Sequence, residues 1–171
     1  LALAGRTEEY RQACRKMLYD LGHFSNSRRI GYVVRACTLL PEAVPNPAAL
    51  VEFAEKLVSD DATPSDVHAL GMAYLRAGRS EEAADRFQES LDMAPNRAAR
   101  FLEHLGLALA YIKLGKPKEA RQWLGEAVNL MEQDLGDNTA RMVGNILRLE
   151  LEQLLRTPEA DDQDAEGQQE E

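Results

Sequence analysis

The chain has 171 residues, of which 44% are hydrophobic and 29% charged, enough for one domain with a sizeable apolar core. No apolar run approaches the length of a membrane span, and the net charge of −9 offers little to a nucleic-acid backbone, so we exclude membrane and nucleic acid as partners. Cys14 and Cys37 fit neither a disulfide framework nor a zinc site, so we expect buried thiols and a reducing, cytoplasmic compartment.

Helical periodicity predicts three helices in the first third of the chain. Apolar residues recur at helical spacing over residues 8–21 and again from about residue 27 to 40. Pro41, Pro45 and Pro47 follow within seven residues, a density that no continuous helix tolerates. Because Asn46 can cap a helix whose first turn begins with Pro47, we predict a third helix from there to about residue 59.

The middle of the chain carries a tetratricopeptide (TPR) pattern, a helix–turn–helix unit of about 34 residues. Small residues at two positions allow two antiparallel helices to approach closely, larger groups pack around that contact, and a glycine ends the first helix. The pattern residues are Leu70, Gly71, Tyr74, Gly78, Ala83, Phe87 and Pro95, with Val67 in place of the usual tryptophan.

The TPR pattern returns 37 residues later and, in degenerate form, about as far upstream. Leu107, Ala108, Tyr111, Gly115 and Ala120 restate it, whereas the upstream copy has the proline-rich turn in place of a glycine turn. We therefore predict an all-α, TPR-type right-handed α-solenoid of about eight helices. Its repeats span about 27–62, 64–97 and 98–134, and capping helices span 8–21 and 138–155.

The two ends of the chain lie outside the predicted TPR domain, which spans 8–156. We expect residues 1–7 to be flexible. Residues 157–171 contain seven acidic residues and no basic one, without an apolar anchor, and are predicted to form a disordered acidic tail. We also expect the chain to be a piece of a longer protein.

Several stretches resemble one group of TPR proteins. They are Tyr10–Cys14, Arg35–Val44, Leu70–Arg79 and Arg148–Leu151. Together they are similar to the C-terminal TPR region of large bacterial proteins that carry serine/threonine kinase or WD40-repeat domains. The resemblance implies an interaction or regulatory module, and any kinase activity would lie outside this chain.

The sequence offers no catalytic or metal-binding arrangement. His23, His68 and His104 lie out of helical reach of one another, and His104 occupies a packing position of the repeat. There is no glycine-rich phosphate loop, metal-ligand spacing or nucleophile–base pair. We predict that the chain is not an enzyme and has no cofactor and no metal.

The concave face of the solenoid is the predicted binding site for a protein or peptide partner. In such solenoids the first helix of each pair lines this face. The residues mapped there are Arg28, Arg35, His68, Met72, Leu75, Arg76, Leu102, Leu105, Leu109, Ile112, Lys113 and Arg141. One interpretation is an apolar floor flanked by bases, open to a segment with apolar anchors and acidic neighbours; the other is that the superhelix or the last helix buries this floor internally.

Three functions remain open from the sequence. The first is a non-catalytic protein–protein interaction module that binds a partner segment on its concave face. The second is a regulatory or accessory region of a larger bacterial serine/threonine kinase or WD40 protein. The third is a homo-oligomerisation module that pairs through the apolar strip of the helix after residue 98.

Overall fold

The computed structural model describes residues 5–21, 27–59, 61–93, 100–133 and 138–156. These residues form eight α-helices and no strand, as predicted for a TPR-type solenoid. The helices are α1 Thr7–Leu21, α2 Ser27–Cys37, α3 Pro47–Glu55, α4 Pro64–Arg76, α5 Ser80–Met93, α6 Phe101–Lys113, α7 Pro117–Gln133 and α8 Asn138–Arg156. The predicted acidic tail, 157–171, lies outside the described residues.

Helices α3 and α4 begin at the two Asn/Thr-Pro signals in the sequence. The Ala48 amide donates to Asn46 Oδ1 at 3.2 Å, so Asn46 caps α3. Thr63 and Asp66 form a reciprocal capping box, with the Asp66 amide 3.3 Å from Thr63 Oγ1 and the Thr63 amide 3.1 Å from Asp66 Oδ2. Both starts follow the prediction.

Helices α2 and α3 end earlier than predicted. We expected α2 to reach about residue 40, but it ends at Cys37 because Pro41 has no amide to continue the ladder and disfavours helical geometry at Leu40. We expected α3 to reach about residue 59, but it ends at Glu55. There the Leu57 amide bonds to the Ala54 carbonyl three residues back, a tightened last turn.

Helices α4 and α6 end in the same glycine turn. Gly78 and Gly115 have φ angles of +78° and +69°, in the left-handed region. In each turn the amide after the glycine bonds to a tyrosine carbonyl: Arg79 to Tyr74 and Lys116 to Tyr111, both at 2.9 Å. This pair of Schellman motifs is the structural form of the 37-residue repeat.

The Phe87 ring locks α5 between α4 and α6. Phe87 is fully buried, and glycines of both neighbouring helices face its ring. A Cβ atom at Gly71 would lie 2.8 Å from the ring, and one at Gly106 would lie 2.7 Å from it. The three helices therefore pack at a distance that only glycine allows at these two positions.

The apolar core runs the length of the array in two connected clusters. One joins α1 to α4 and the other joins α4 to α8, with Tyr74 of α4 packed against both. Each helix pair thus buries its apolar face against its neighbours, as expected of stacked repeats.

Candidate partner-binding groove

Helix α8 lies on the face that the sequence predicted to be the partner-binding groove. It packs mainly against α6 and only lightly against α7, although α7 precedes it in the chain. By contrast, α6 packs closely against the helix before it, α5, and little against α4. α8 therefore does not continue the stacking pattern of the repeats, but lies against α6, the first helix of the last pair, and contacts α4 through the Arg76–Glu150 ion pair.

Apolar side chains of α8 fill the predicted apolar floor. Leu147 and Leu151 are fully buried, in the same cluster as Leu105 and Leu109 of α6, which are also fully buried. Nearer the start of α8, Gly144 permits a close approach, because a Cβ atom there would lie 2.8 Å from the Phe101 ring. The contact thus extends over most of the helix.

The Arg76 guanidinium joins α8 to two other parts of the array. Nη1 lies 2.6 Å from Glu150 Oε1 and Nη2 lies 2.8 Å from Glu150 Oε2, a bidentate pair between residues 74 apart in sequence. Nε also donates to the Thr38 carbonyl at 2.8 Å, and Nη2 to the Leu39 carbonyl at 3.1 Å. The Arg76 side chain is 7% exposed, so this is an internal contact.

Five of the twelve predicted site residues are buried, which corrects the expectation of an open apolar floor. His68, Met72, Leu75, Leu105 and Leu109 are each at most 9% exposed. The four apolar residues belong to the same cluster as Leu147 and Leu151 of α8, whereas His68 packs against Phe87 and Glu103. The interpretation in which the last helix buries this face is the one that the structure shows. The apolar strip that the homo-oligomerisation hypothesis required is covered in the same way.

Six of the other predicted residues remain at least partly accessible. Arg28 and Lys113 are exposed, and the partly buried ones are Arg35, Leu102, Ile112 and Arg141. The structure therefore divides the predicted site into a half covered by α8 and a more open half, to which α2 contributes Arg28 and Arg35.

The open half presents a basic and aromatic surface on α2. Arg28, Tyr32 and Arg35 lie at positions i, i+4 and i+7, hence on one face of the helix. Tyr32 is 66% exposed, and the Arg35 guanidinium lies 5.6 Å from the centre of its ring. Arg35 also lies 3.5 Å from Asp66 of α4. We call Arg28, Tyr32 and Arg35 the α2 face.

Tyr32 was missed in the sequence analysis. The predicted groove residues were transferred from repeat positions, and the degenerate first repeat gave a register that included Arg28 and Arg35 but passed over Tyr32. A large aromatic residue between two arginines at helical spacing, on the side opposite the Ile30–Val34 stripe, was the available signal.

A buried polar cluster joins α4, α5 and α6 beneath the groove. Glu103 is fully buried, with Oε1 lying 3.0 Å from Ser90 Oγ and 3.5 Å from His68 Nδ1. Ser90 Oγ is also 2.8 Å from the Pro64 carbonyl. The hydroxyl, the carboxylate and the imidazole are all buried, and together they connect three helices.

The two thiols and Tyr10 form the seam between α1 and α2. Cys14 and Cys37 are fully buried, as expected, and Cys37 Sγ lies 3.8 Å from the Cys14 carbonyl oxygen. The hydrogen bond between the thiols lowers the pKa of Cys14 and, with burial, raises the pKa of Cys37. Tyr10 donates to the Ala36 carbonyl at 2.5 Å, and burial raises its pKa.

Among the described residues, no group of three or more His, Cys, Asp or Glu residues is placed to hold a metal ion. None of the described helices has the length and hydropathy needed to span a membrane.

A protein-family model matches the chain. It is described as "Anaphase-promoting complex, cyclosome, subunit 3" (ANAPC3) and covers residues 48–135, from α3 to just past the end of α7. No curated protein and no solved structure matches the chain. The resemblance to kinase-linked and WD40-linked regions stays a prediction. Because the match covers just over half of a chain that folds as a TPR-type solenoid, this chain belongs to the TPR-like ANAPC3 family.

Proposed function

We propose that the chain is a non-catalytic protein–protein interaction module that binds a partner segment on its concave face, at the α2 face. Repeats of the TPR type typically act as scaffolds for protein partners. The observation that carries the proposal is the exposure of Tyr32 between Arg28 and Arg35 on the first helix of the first repeat pair.

The composition of the α2 face suits protein recognition. Tyrosine and arginine are the residue types most enriched at the energetic centres of interfaces, because each combines a large contact area with directional polar groups. Arg35 lies 3.5 Å from Asp66, but its side chain remains 37% exposed, so a partner carboxylate can reach the guanidinium from the solvent side. The surface thus fits a segment with an apolar or aromatic anchor beside acidic residues.

Exposed apolar side chains of α8 add to the same side of the array. Met142 and Leu149 are 52% and 56% exposed and lie seven positions apart, on the outer face of α8. Glu150, next to Leu149, contacts Arg76, which in turn bonds to the carbonyls that end α2. Arg76 of α4 therefore connects α8 to the segment that follows α2.

The test uses matched charge reversals on the purified chain. Arg28→Glu with Arg35→Glu, and separately Tyr32→Ala, should each weaken binding of an affinity-purified partner at least tenfold by calorimetry. Arg121→Glu, an exposed arginine on α7, is the matched control and should bind as wild type does. If the α2-face variants bind the partner with unchanged affinity, the site is elsewhere and the proposal fails.

A further inference from the structure

The surface beneath α8 is built by parts of the array that do not depend on α8. Arg76 is oriented by the Thr38 and Leu39 carbonyls, which lie at the end of α2. These two contacts lie within the array, so they orient the guanidinium edge that meets Glu150 before α8 docks. Leu105 and Leu109 are held by α6, which packs against α5 and α7. Together these residues form a preorganised receptor for a helix.

Helix α8 has the features of a ligand for that receptor. It supplies Leu147 and Leu151, four positions apart, and a carboxylate directly before the second leucine. Both leucines are fully buried, whereas Met142 and Leu149 on the outer face are more than half exposed. An amphipathic helix that places apolar residues at i and i+4 into a groove is a common mode of peptide recognition.

The attachment of α8 to its own neighbour in the chain is weak. α8 contacts α7 far less than it contacts α6, and its charged contact is with α4. The free energy of docking therefore comes mainly from the receptor, and a second helix with the same pattern would meet the same groups.

We propose that the half of the groove covered by α8 is a binding site for an amphipathic helix of a partner protein, with α8 as its resident occupant. The partner helix carries two apolar residues four positions apart and a carboxylate directly before the second. This inference rests on the proposed function, since it makes binding on the concave face a competition with α8. Docking of α8 then weakens binding of the partner helix: its apparent affinity equals its intrinsic affinity multiplied by the fraction of chains in which α8 is released.

The test uses a fluorescent synthetic peptide with the sequence of residues 138–156, added to the full chain. Glu150→Gln in the chain removes the carboxylate from α8 but leaves Arg76 in place. This variant should bind the peptide at least tenfold more tightly than wild type does, as measured by fluorescence anisotropy. This gain in affinity should disappear when the Glu150→Gln chain also carries Arg76→Leu, or when the peptide carries Glu150→Gln.

Glu152→Gln is the matched control on the same helix. Its carboxylate lies near Arg148 and Arg156 at 3.6 Å and is 35% exposed, so its loss does not touch the receptor. Chains with this substitution should bind the peptide as wild type does. Equal binding by the wild-type and Glu150→Gln chains, or a gain that survives Arg76→Leu, would overturn the inference.

A second measurement covers the case in which Glu150→Gln unfolds the chain. Hydrogen exchange of the wild-type chain, followed by mass spectrometry, should show faster exchange over residues 138–156 when unlabelled peptide is in excess. Unchanged exchange at saturating peptide contradicts competition. Light scattering that shows the Glu150→Gln chain to dimerise would assign the site to a second copy and overturn the partner assignment. Neither result bears on the α2 face, so failure here leaves the proposed function standing.

Discussion

At the residue scale, Gly106 and Gly125 are both helical glycines, but their surroundings differ. A Cβ at Gly106 would lie 2.7 Å from the Phe87 ring, which is fully buried and cannot move aside. A Cβ at Gly125 on α7 would meet nothing within 4 Å. The same substitution should therefore have opposite effects on stability at the two positions.

We expect Gly106→Ala to destabilise the chain by about 1–3 kcal/mol through overpacking. Gly125→Ala should stabilise it by up to about 1 kcal/mol, because alanine has the higher helix propensity. Urea denaturation followed by circular dichroism measures both. Adding Phe87→Leu to Gly106→Ala should recover part of the loss, and a Gly106→Ala chain as stable as wild type would show that the Phe87 contact is looser than described.

At the element scale, the glycine turns that end α4 and α6 depend on backbone conformation rather than on space. Gly78 has φ +78° and a Cβ there would meet nothing within 4 Å. Any penalty for adding a side chain must then come from the left-handed conformation itself.

Substitutions at Gly78 should follow the tolerance of each residue for that conformation. We expect Gly78→Ala to cost about 1–2 kcal/mol and Gly78→Asn clearly less, because asparagine adopts the left-handed region more readily. Thermal unfolding of the three chains gives the order. Should alanine and asparagine prove equally costly, backbone strain is not the cause and the Schellman bonds of Arg79 and Gly78 need another explanation.

At the scale of the whole molecule, the seam between α1 and α2 links stability to alkaline pH. Burial raises the pKa of Tyr10 above its ordinary value of 10.0. The folded chain therefore holds this proton more tightly than the unfolded chain does. The resulting stabilisation is complete below about pH 10 and is lost as the pH rises above it.

Tyr10→Phe should reveal this contribution. At pH 8 the variant should melt below wild type, because it lacks the hydrogen bond to the Ala36 carbonyl. The difference in melting temperature should narrow as the pH rises from about 9.5 to 11.5, since only wild type loses the Tyr10 contribution there. Tyr19→Phe, at a residue that is 76% exposed, is the control. A difference that stays constant with pH would contradict a raised Tyr10 pKa.

The sequence predicted the fold because the fold is repetitive. Gly78 and Gly115, Tyr74 and Tyr111, and Ala83 and Ala120 recur at one spacing, and each has a local reason to be where it is. The cap residues Asn46 and Thr63 act within one helical turn. Signals that are local, or that recur at a fixed spacing, can be recognised in a single sequence.

The position of α8 could not be predicted in the same way. Arg76 and Glu150 are 74 residues apart in the sequence. Nothing local to α8 shows whether its apolar face meets α7, as a further repeat would, or α6. The sequence indicated only that α6 is apolar on nearly all of its faces. This pattern left burial of α6 within the fold and binding of a partner as equal alternatives. Gly106 was similarly missed, because its role depends on a ring from another helix.

The placement of the Phe87 ring between Gly71 and Gly106 also bears on how the array unfolds. In a solenoid each repeat contacts only its neighbours, so the ends can open while the middle stays folded. Here a single side chain of the second pair is enclosed by the first helices of both the second and the third pair. Neither of these helices can separate from α5 without exposing the same ring. Helices α4, α5 and α6 should therefore open as one cooperative unit, whereas α1 is free to detach independently.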